Sequence, residues 1–359
     1  MRIGILKEKD ENRVAVTPGV ARKIKDLGLD VCLEKDAGLA AGFDNAGYSD
    51  ICNIMKRDEI LKACELVISI NPPDQKELEI RPEGSYIISE FRPFFDNKIA
   101  GILEGLRLHA FSMDMIPRTT LAQTMDVLSS MASIAGYKAV LLAASKLPRY
   151  FPMMITAAGS IKPARLLVLG AGVAGLQAIA TARRLGAIVE AFDTRSAVKE
   201  EVESLGAHFV EVEGAVEDAA AGGYAVQQSE EFLQKQREEV QKRSIQADVI
   251  ITTAQVRGRS APILIPKATV EQMKPGSIVI DLAASTGGNC ELTENGKTIT
   301  FQGVTIVGNS NLADSMAQDA STLYSNNFFN FFKLLIKDGK LVVDLENEII
   351  SGALITNLN

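Results

Sequence analysis

The sequence predicts two α/β domains, each built around a doubly wound parallel sheet, with long helices joining them. Short aliphatic segments alternate with amphipathic helical patterns, which is the rhythm of parallel strands connected by crossover helices. A chain of 359 residues is too long for one ordinary hydrophobic core, so two domains are expected. A glycine-rich turn near the middle of the chain joins a strand directly to a helix. This turn predicts the carboxyl edge of a doubly wound sheet.

The first third of the chain supplies the first sheet. Its predicted strands are the aliphatic runs at 3–6, 31–33, 66–70, 85–89 and 110–113. Helical patterns separate these runs, and the first begins at Thr17 and Pro18 and ends at Gly28. Two further helical patterns cover residues 58–63 and 97–106.

After Pro117 the pattern changes to long helices. Residues 121–147 are almost all apolar or small and predict one long helix, and a second long helical stretch covers 315–337. Strands of the second sheet are expected near residues 208–212, 249–252, 277–282 and 304–307. We therefore expect one domain made of residues 1–128 and 310–359, a second made of 129–309, and a cleft between them.

The central stretch from Ala164 to Arg195 has the order strand, glycine turn, helix, strand and acid. Gly170 would let the chain turn off the strand, Gly172 would leave room for a pyrophosphate, and Gly175 would let the helix pack close. The helix N-terminus offers free N–H groups and a positive dipole end to phosphates. This order predicts a dinucleotide site of the Rossmann type. The alternative is a tight glycine turn with only a structural role.

The acid that ends the second strand bears on which dinucleotide binds. Asp193 can accept hydrogen bonds from both ribose hydroxyls of the adenosine half, and its charge would repel a 2′-phosphate. The residue therefore favours NAD over NADP. Arg195, two residues further on, weakens this preference because a guanidinium attracts phosphate.

Composition excludes several classes of function. The net charge of −7 and the absence of a basic stripe argue against nucleic-acid binding. Two histidines, His109 and His208, cannot form a histidine-based zinc site, so no metal is expected. No uninterrupted apolar run is expected to span a membrane, and the first residues read as a strand rather than a signal peptide. The scattered cysteines indicate free thiols in a reducing compartment: Cys32, Cys52, Cys64 and Cys290.

A polar segment at residues 222–240 allows two interpretations. It begins with Gly222 and Gly223, contains Tyr224, and continues as a highly charged helical pattern. A solvated helix behind a flexible turn is the usual outcome for such a segment. A lid hinged at the glycine pair is the functional alternative.

Several segments together resemble one family. The chain is similar, over nearly its whole length, to the soluble NAD(H)-binding component of proton-translocating nicotinamide nucleotide transhydrogenase. The same fold family includes alanine dehydrogenase, which shares the segment that begins at Asn12. The segments that carry the resemblance are 2–5, 11–18, 117–130, 134–139, 155–159, 170–176, 191–195, 222–225, 251–254, 281–284 and 287–290.

The resemblance implies an activity. NADH bound to this chain would pass a hydride to NADP+ held on a separate subunit, and the transfer would be coupled to proton movement through a membrane part. The implied partners are an NADP(H)-binding subunit, a membrane-spanning subunit and a second copy of this chain in a homodimer. The chain itself would lie in the cytoplasm, peripheral to the inner side of the membrane, without inserting into it.

The family pattern places Arg118, Gln123 and Asp126 around the nicotinamide, with Ser129 close by. Hydride transfer between two nicotinamides needs no protein acid, base or nucleophile, because the cofactor carries the chemistry. It needs the two rings held at roughly 3–3.5 Å in alignment. Without the resemblance, the same residues are more simply interpreted as a helix turn with Asp126 on its polar face.

Further positions of the family pattern concern the rest of the nucleotide. Thr119, Thr120 and Leu121 depart from the usual family pattern, as do residues 256–262, where Arg257 and Arg259 stand. Gln255 lies at a nucleotide-side position where the family usually has an aliphatic residue. The adenosine side is assigned to Val173, Asp193, Thr194 and Arg195, and the loop closing over the nucleotide to Gly223, Tyr224 and Gln236.

Two other functions remain as alternatives. An amino-acid dehydrogenase of the alanine type needs a lysine after the third strand and a histidine after the next, but Asn71 and Arg92 occupy those regions. A non-enzymatic NAD sensor would have the same glycine motif and lid. Such a sensor would not need Arg118, Gln123 and Asp126 to position a reacting ring.

Overall fold

The computed structural model describes residues 1–96, 98–212, 229–256 and 258–357. Two compact units divide the chain: unit 1 contains Met1–Met131 and Ala313–Asn359, and unit 2 contains Ala132–Leu312. The predicted α/β class is confirmed, because most strands in both units pair in parallel and helices connect them.

The strands are β1 (Arg2–Ile5), β2 (Asp30–Glu34), β3 (Asn53–Met55), β4 (Leu66–Ile68), β5 (Tyr86–Ser89), β6 (His109–Ser112), β7 (Met154–Thr156), β8 (Gly159–Ile161), β9 (Arg165–Leu169), β10 (Ile188–Phe192), β11 (His208–Phe209), β12 (Val249–Thr252), β13 (Ile278–Asp281), β14 (Lys297–Phe301), β15 (Val304–Gly308), β16 (Ile336–Lys337) and β17 (Lys340–Leu341). The helices are α1 (Pro18–Asp26), α2 (Arg57–Ala63), α3 (Gln75–Glu79), α4 (Ile99–Gly105), α5 (Val127–Lys146), α6 (Val173–Arg184), α7 (Lys199–Ser204), α8 (Glu230–Gln246), α9 (Lys267–Val270), α10 (Ala317–Leu335) and α11 (Glu348–Ala353).

Unit 1 contains a parallel sheet whose strand order is β3-β2-β1-β4-β5-β6 in the described residues. Its central strands are aliphatic and buried on both faces, as expected for a parallel sheet covered by helices. The late helix α10 belongs to this unit because Phe328 and Phe331 are part of its core. Backbone N–H groups of Val14 and Thr17 donate to serine hydroxyls on α10, which fixes the loop after β1.

Unit 2 contains a second sheet with the order β11-β10-β9-β12-β13-β15-β14 in the described residues. All of its strand pairs are parallel except the pair between β14 and β15. The sequence analysis does not predict β14, because its residues are mostly polar and exposed. Such a composition is tolerated in an edge strand. Nor does the sequence analysis predict the hairpin of β7 and β8, which lies outside the main sheet.

The long helix predicted over residues 121–147 is wrong at its start. Residues Thr120–Met125 form a 3₁₀ helix, and α5 begins only at Val127. Asp126 between them has an extended backbone, and its carboxylate accepts hydrogen bonds from the N–H and hydroxyl of Ser129. An aspartate that captures the N–H three residues later is a helix-starting cap, and this cap separates the two helices.

Helix α5 bears on the expectation that no apolar run of the chain spans a membrane. It is the one helix in the described ranges that is long and apolar enough to do so by length and composition, a test that core helices also pass. Ala135, Ala139 and Ala143 on this helix are buried in the core of unit 2. These three side chains therefore pack against other parts of unit 2.

Close packing of α5 against α6 depends on Gly136. A Cβ built at residue 136 would lie 2.1 Å from the carbonyl oxygen of Ala174. The contact is with backbone, so a rotamer change cannot relieve it. Gly101 on α4 differs, because a Cβ there meets nothing within 4 Å.

We expect Gly136→Ala to lower the free energy of unfolding by about 1–3 kcal/mol, because the added methyl group forces the two helices apart. The matched control Gly101→Ala should raise it by about 0.4–1 kcal/mol by restricting the unfolded chain. Urea denaturation followed by circular dichroism measures both values. Equal stability of the two variants would show that the helices separate without cost.

Candidate functional site

The glycine turn between β9 and α6 has the geometry that the sequence predicts for it. Gly170 has a φ of 104°, a conformation that residues with a Cβ rarely adopt. A Cβ on Gly175 would lie 1.9 Å from the carbonyl oxygen of Gly170 and 3.3 Å from the side chain of Val168. Helix and strand therefore approach as closely as they do only because both positions are glycine.

Gly172 differs from Gly170 and Gly175 because it faces open space. Its φ is −82°, and a Cβ there would meet no protein atom within 4 Å. It is followed by Val173, whose side chain is 45% exposed at the first turn of α6. The free N–H groups of this helix end and the open space beside Gly172 fit a dinucleotide pyrophosphate.

Asp193, the acid that the sequence analysis assigns to the adenosine side, is more fully engaged than the sequence suggests. One carboxylate oxygen accepts hydrogen bonds from the Arg195 N–H and the Arg195 Nε, both at 2.9 Å. The other accepts from the Ala171 N–H at 2.8 Å and from the Arg195 Nη2 at 2.9 Å. Asp193 therefore joins the glycine turn to the end of β10, and Arg195 is its ion-pair partner.

Burial of the Asp193 carboxyl opposes its ionisation, but the hydrogen bonds from Arg195 and Ala171 outweigh burial. The pKa of Asp193 is therefore lowered. The side-chain hydrogen bonds that Arg195 donates to Asp193 in turn raise the pKa of Arg195. Both groups are charged at neutral pH, and the edge of the site that would meet the ribose carries a neutral ion pair.

Thr253 and Asn289, which the sequence analysis does not assign to the site, hold the loops around the glycine turn. The Thr253 hydroxyl donates to the Gly170 carbonyl at 2.9 Å. The Asn289 side chain accepts from the Ala254 N–H at 3.0 Å and donates to the Ala254 carbonyl at 2.8 Å. Each lies after a strand near the glycine strand in the sheet. This position becomes apparent only once the strand order is known.

The residues assigned to the nicotinamide lie in unit 1. Asp126 and Ser129 are joined by two hydrogen bonds, whereas Arg118 and Gln123 are exposed. The Thr124 carbonyl accepts hydrogen bonds from Asn327 and Asn330 of α10, so the segment that carries Gln123 is anchored to a long helix. Leu121, where the family pattern differs, is 82% exposed.

The remaining predicted site residues lie in or near unit 2. Gln236 is half-buried on α8, and the Gln255 side chain donates to the Leu282 carbonyl at 3.0 Å. Thr194 follows Asp193 and is exposed. The predicted lid residues Gly223 and Tyr224 lie outside the described residues. No cluster of three or more potential metal ligands occurs within the described ranges.

The carboxyl edge of the unit 1 sheet bears on the alternative amino-acid dehydrogenase. The Glu8 carboxylate accepts the N–H groups of Ile70 and Asn71, and Arg13 is paired with Glu11. Burial is the largest influence on Glu8 and raises the pKa of its carboxyl. This edge is lined by acidic groups, and its buried arginine is already paired. A second arginine at this edge, Arg92, has a side chain that is 56% exposed and lies 3.7 Å from the Glu90 carboxylate.

Comparison with known proteins agrees with this geometry. Residues 4–135 match "Alanine dehydrogenase/PNT, N-terminal domain", and residues 139–358 match "Alanine dehydrogenase/PNT, C-terminal domain". The chain belongs to the alanine dehydrogenase/PNT family. Within it, the sequence is 42% identical over 369 residues to the first portion of NAD(P) transhydrogenase subunit alpha of Rhodospirillum rubrum, covering 99% of this chain and 96% of that one.

Two further similarities place the chain within this family. A crystal structure of transhydrogenase from Sinorhizobium meliloti matches with a TM-score of 0.91 and 39% identity, covering 99% of this chain and 98% of that one. Alanine dehydrogenase of Staphylococcus haemolyticus is only 23% identical over 359 residues, covering 94% of this chain and 88% of that one. The resemblance to transhydrogenase is confirmed, and the chain is a transhydrogenase-type subunit of a family that binds NAD(H).

We expect Gly172→Ala and Gly175→Ala to fail for different reasons. A methyl group at residue 172 lies in open space, so the fold should persist while NADH affinity falls about tenfold, or about 1.4 kcal/mol. A methyl group at residue 175 collides with backbone and should lower the unfolding free energy by about 1–3 kcal/mol. NADH titration by fluorescence and urea denaturation separate the two effects. Unchanged NADH affinity in Gly172→Ala would argue against a pyrophosphate beside this glycine.

Proposed function

We propose that this chain binds NADH and passes its hydride to NADP+ held on a separate subunit. The enzyme would couple this transfer to proton translocation through a membrane-spanning subunit. The proposal is carried by one observation: the glycine turn of unit 2 keeps open space beside Gly172, at the N-terminus of α6, in a chain related to transhydrogenases along its whole length. The cytoplasmic, membrane-peripheral location follows from the same proposal.

In this function Arg118, Gln123 and Asp126 would hold the nicotinamide, and Ser129 would hold Asp126 in place by its hydrogen bonds. A carboxamide, a guanidinium and a carboxylate can fix the ring amide and the adjoining ribose by hydrogen bonds. Nothing in the reaction requires these groups to exchange protons, because the hydride moves between two cofactors. Their contribution is alignment, and the anchoring of Thr124 to α10 supports a rigid segment for that task.

The two alternatives are less well supported. An amino-acid dehydrogenase of the alanine type needs a lysine and a histidine in the regions where this chain has Asn71 and Arg92. The glycine turn is equally compatible with a non-enzymatic NAD sensor. It differs from the proposal in one measurable respect, because a sensor transfers no hydride to NADP+.

We also propose that two copies of the chain form a homodimer through the hairpin of β7 and β8. Ile155 in β7 is 74% exposed, and its apolar neighbours Met153 and Ile161 are exposed too. An isolated two-stranded hairpin is marginally stable in water, and its free edges invite pairing with another chain. A second copy would supply the same edge in a self-complementary interface.

The base of this hairpin is firmly held. The Arg149 guanidinium donates to the Asp248 carboxylate at 2.9 Å and to the Lys162 carbonyl at 2.9 Å. The Ala164 N–H donates to the Phe151 carbonyl at 3.0 Å. An exposed apolar hairpin on a fixed base is preorganised for association, because little order has to be gained when a partner binds.

The decisive experiment mixes the purified chain with an NADP-binding transhydrogenase subunit and follows reduction of an NADP+ analogue by NADH. Transfer only in the mixture is expected, with alanine plus NAD+ giving no turnover. Gln123→Asn should slow transfer about 100-fold with little change in NADH affinity, since a misplacement of about 1 Å can cost that much. Gln75→Asn, an exposed substitution on α3, serves as the control and should leave the rate unchanged.

Each other outcome of this experiment has a definite meaning. Tight NADH binding without transfer to any partner would favour the sensor. Turnover of alanine would establish the dehydrogenase instead. A large loss of NADH affinity in Gln123→Asn, with an unchanged rate at saturation, would make Gln123 a binding residue without a role in alignment.

We expect Ile155→Asp to convert the homodimer to monomer, because a charge at the centre of the hairpin would be buried without a partner at the interface. Light scattering coupled to size-exclusion chromatography measures the mass directly. Ile80→Asp introduces the same change at an exposed site in unit 1 and should leave the dimer intact. A dimer that persists in Ile155→Asp would rule out the hairpin as the interface.

A further inference from the structure

The Asp193 carboxylate has no acceptor capacity left for a ribose. A carboxylate has about four lone-pair positions for hydrogen bonds. Asp193 uses them for the N–H groups of Ala171 and Arg195 and for two nitrogens of the Arg195 guanidinium. Ribose hydroxyls can therefore bind to Asp193 only if existing donors leave.

Only one of these donors is free to move. The N–H groups of Ala171 and Arg195 belong to the backbone of the glycine turn and of the loop after β10, so they are held by the fold. The Arg195 guanidinium is at the end of a flexible side chain that is 39% exposed, whereas the Asp193 side chain is 8% exposed. The arginine can swing into solvent, but the aspartate cannot follow it.

We propose that the Arg195 side chain is a removable cover on Asp193 that sets the choice between NADH and NADPH. The proposal rests on the proposed function, in which unit 2 binds the adenosine half of NAD(H). For NADH to bind, the guanidinium must leave Asp193 and be replaced by the two ribose hydroxyls. The Arg195 guanidinium thus competes with the ribose hydroxyls for Asp193.

The same arginine weakens the rejection of NADPH. A 2′-phosphate beside a bare Asp193 carboxylate would meet uncompensated negative charge. With Arg195 in place the carboxylate is neutralised, and a displaced guanidinium can pair with the phosphate itself. Arg195 should therefore lower NADH affinity and raise NADPH affinity, which reduces the selectivity that Asp193 alone would give.

The test measures binding of NADH and NADPH separately to the full chain and to Arg195→Gln, by fluorescence titration. We expect NADH affinity to rise about fivefold in the variant, a gain of about 1 kcal/mol. NADPH affinity should fall, so that the ratio of the two affinities rises about tenfold or more. Arg195→Lys keeps the charge but loses the two parallel hydrogen bonds, and its ratio should lie between the other two.

The control is Arg184→Gln, which removes an equal charge from an exposed position on α6 and should change neither affinity. Weaker NADH binding in Arg195→Gln would overturn the proposal by showing that the arginine holds the nucleotide directly. An unchanged affinity ratio would overturn it as well. Failure of the wild-type chain to bind NADH would instead contradict the proposed function, so the two failures are distinguishable.

Discussion

The close approach of α6 to β9 is the constraint on which the rest of unit 2 depends. The backbone of Gly175 lies so near the Gly170 carbonyl that even one methyl group would collide with it. This approach directs the first turn of α6 at the open space beside Gly172. It also brings the Ala171 N–H to Asp193, which joins the turn to the next strand. One packing contact therefore positions both the N-terminus of α6 and the acid that follows β10.

The acidic side chains at the carboxyl edges of the two sheets have different partners. In unit 2 the Asp193 carboxylate at the candidate nucleotide site forms an ion pair with Arg195, which neutralises its charge. In unit 1 the Glu8 carboxyl accepts two backbone N–H groups at the carboxyl edge of the sheet, the place where doubly wound sheets usually receive a ligand. These two backbone N–H groups are therefore already paired within the chain.

Much of the fold and some of the candidate site could be predicted from the sequence. The aliphatic strands were recognised because they are buried on both faces and therefore form continuous apolar runs. The start of α5 was misplaced because apolar composition alone does not reveal that Asp126 captures the Ser129 N–H. The hairpin of β7 and β8 was missed because its pairing lies outside the main sheet. Strand order, which decides the roles of Thr253 and Asn289, is not a local property.

By itself, the sequence determined the α/β class, the glycine turn and the residues available for binding. These depend on local properties: the conformational freedom of glycine, the period of apolar residues and the identity of the acid after β10. Only the tertiary structure decided that Gly172 faces open space whereas Gly175 faces backbone, and that Asp193 is fully engaged by Arg195 and Ala171. The physical reason is that room and hydrogen-bond capacity depend on neighbours brought together by folding, which residue spacing does not encode.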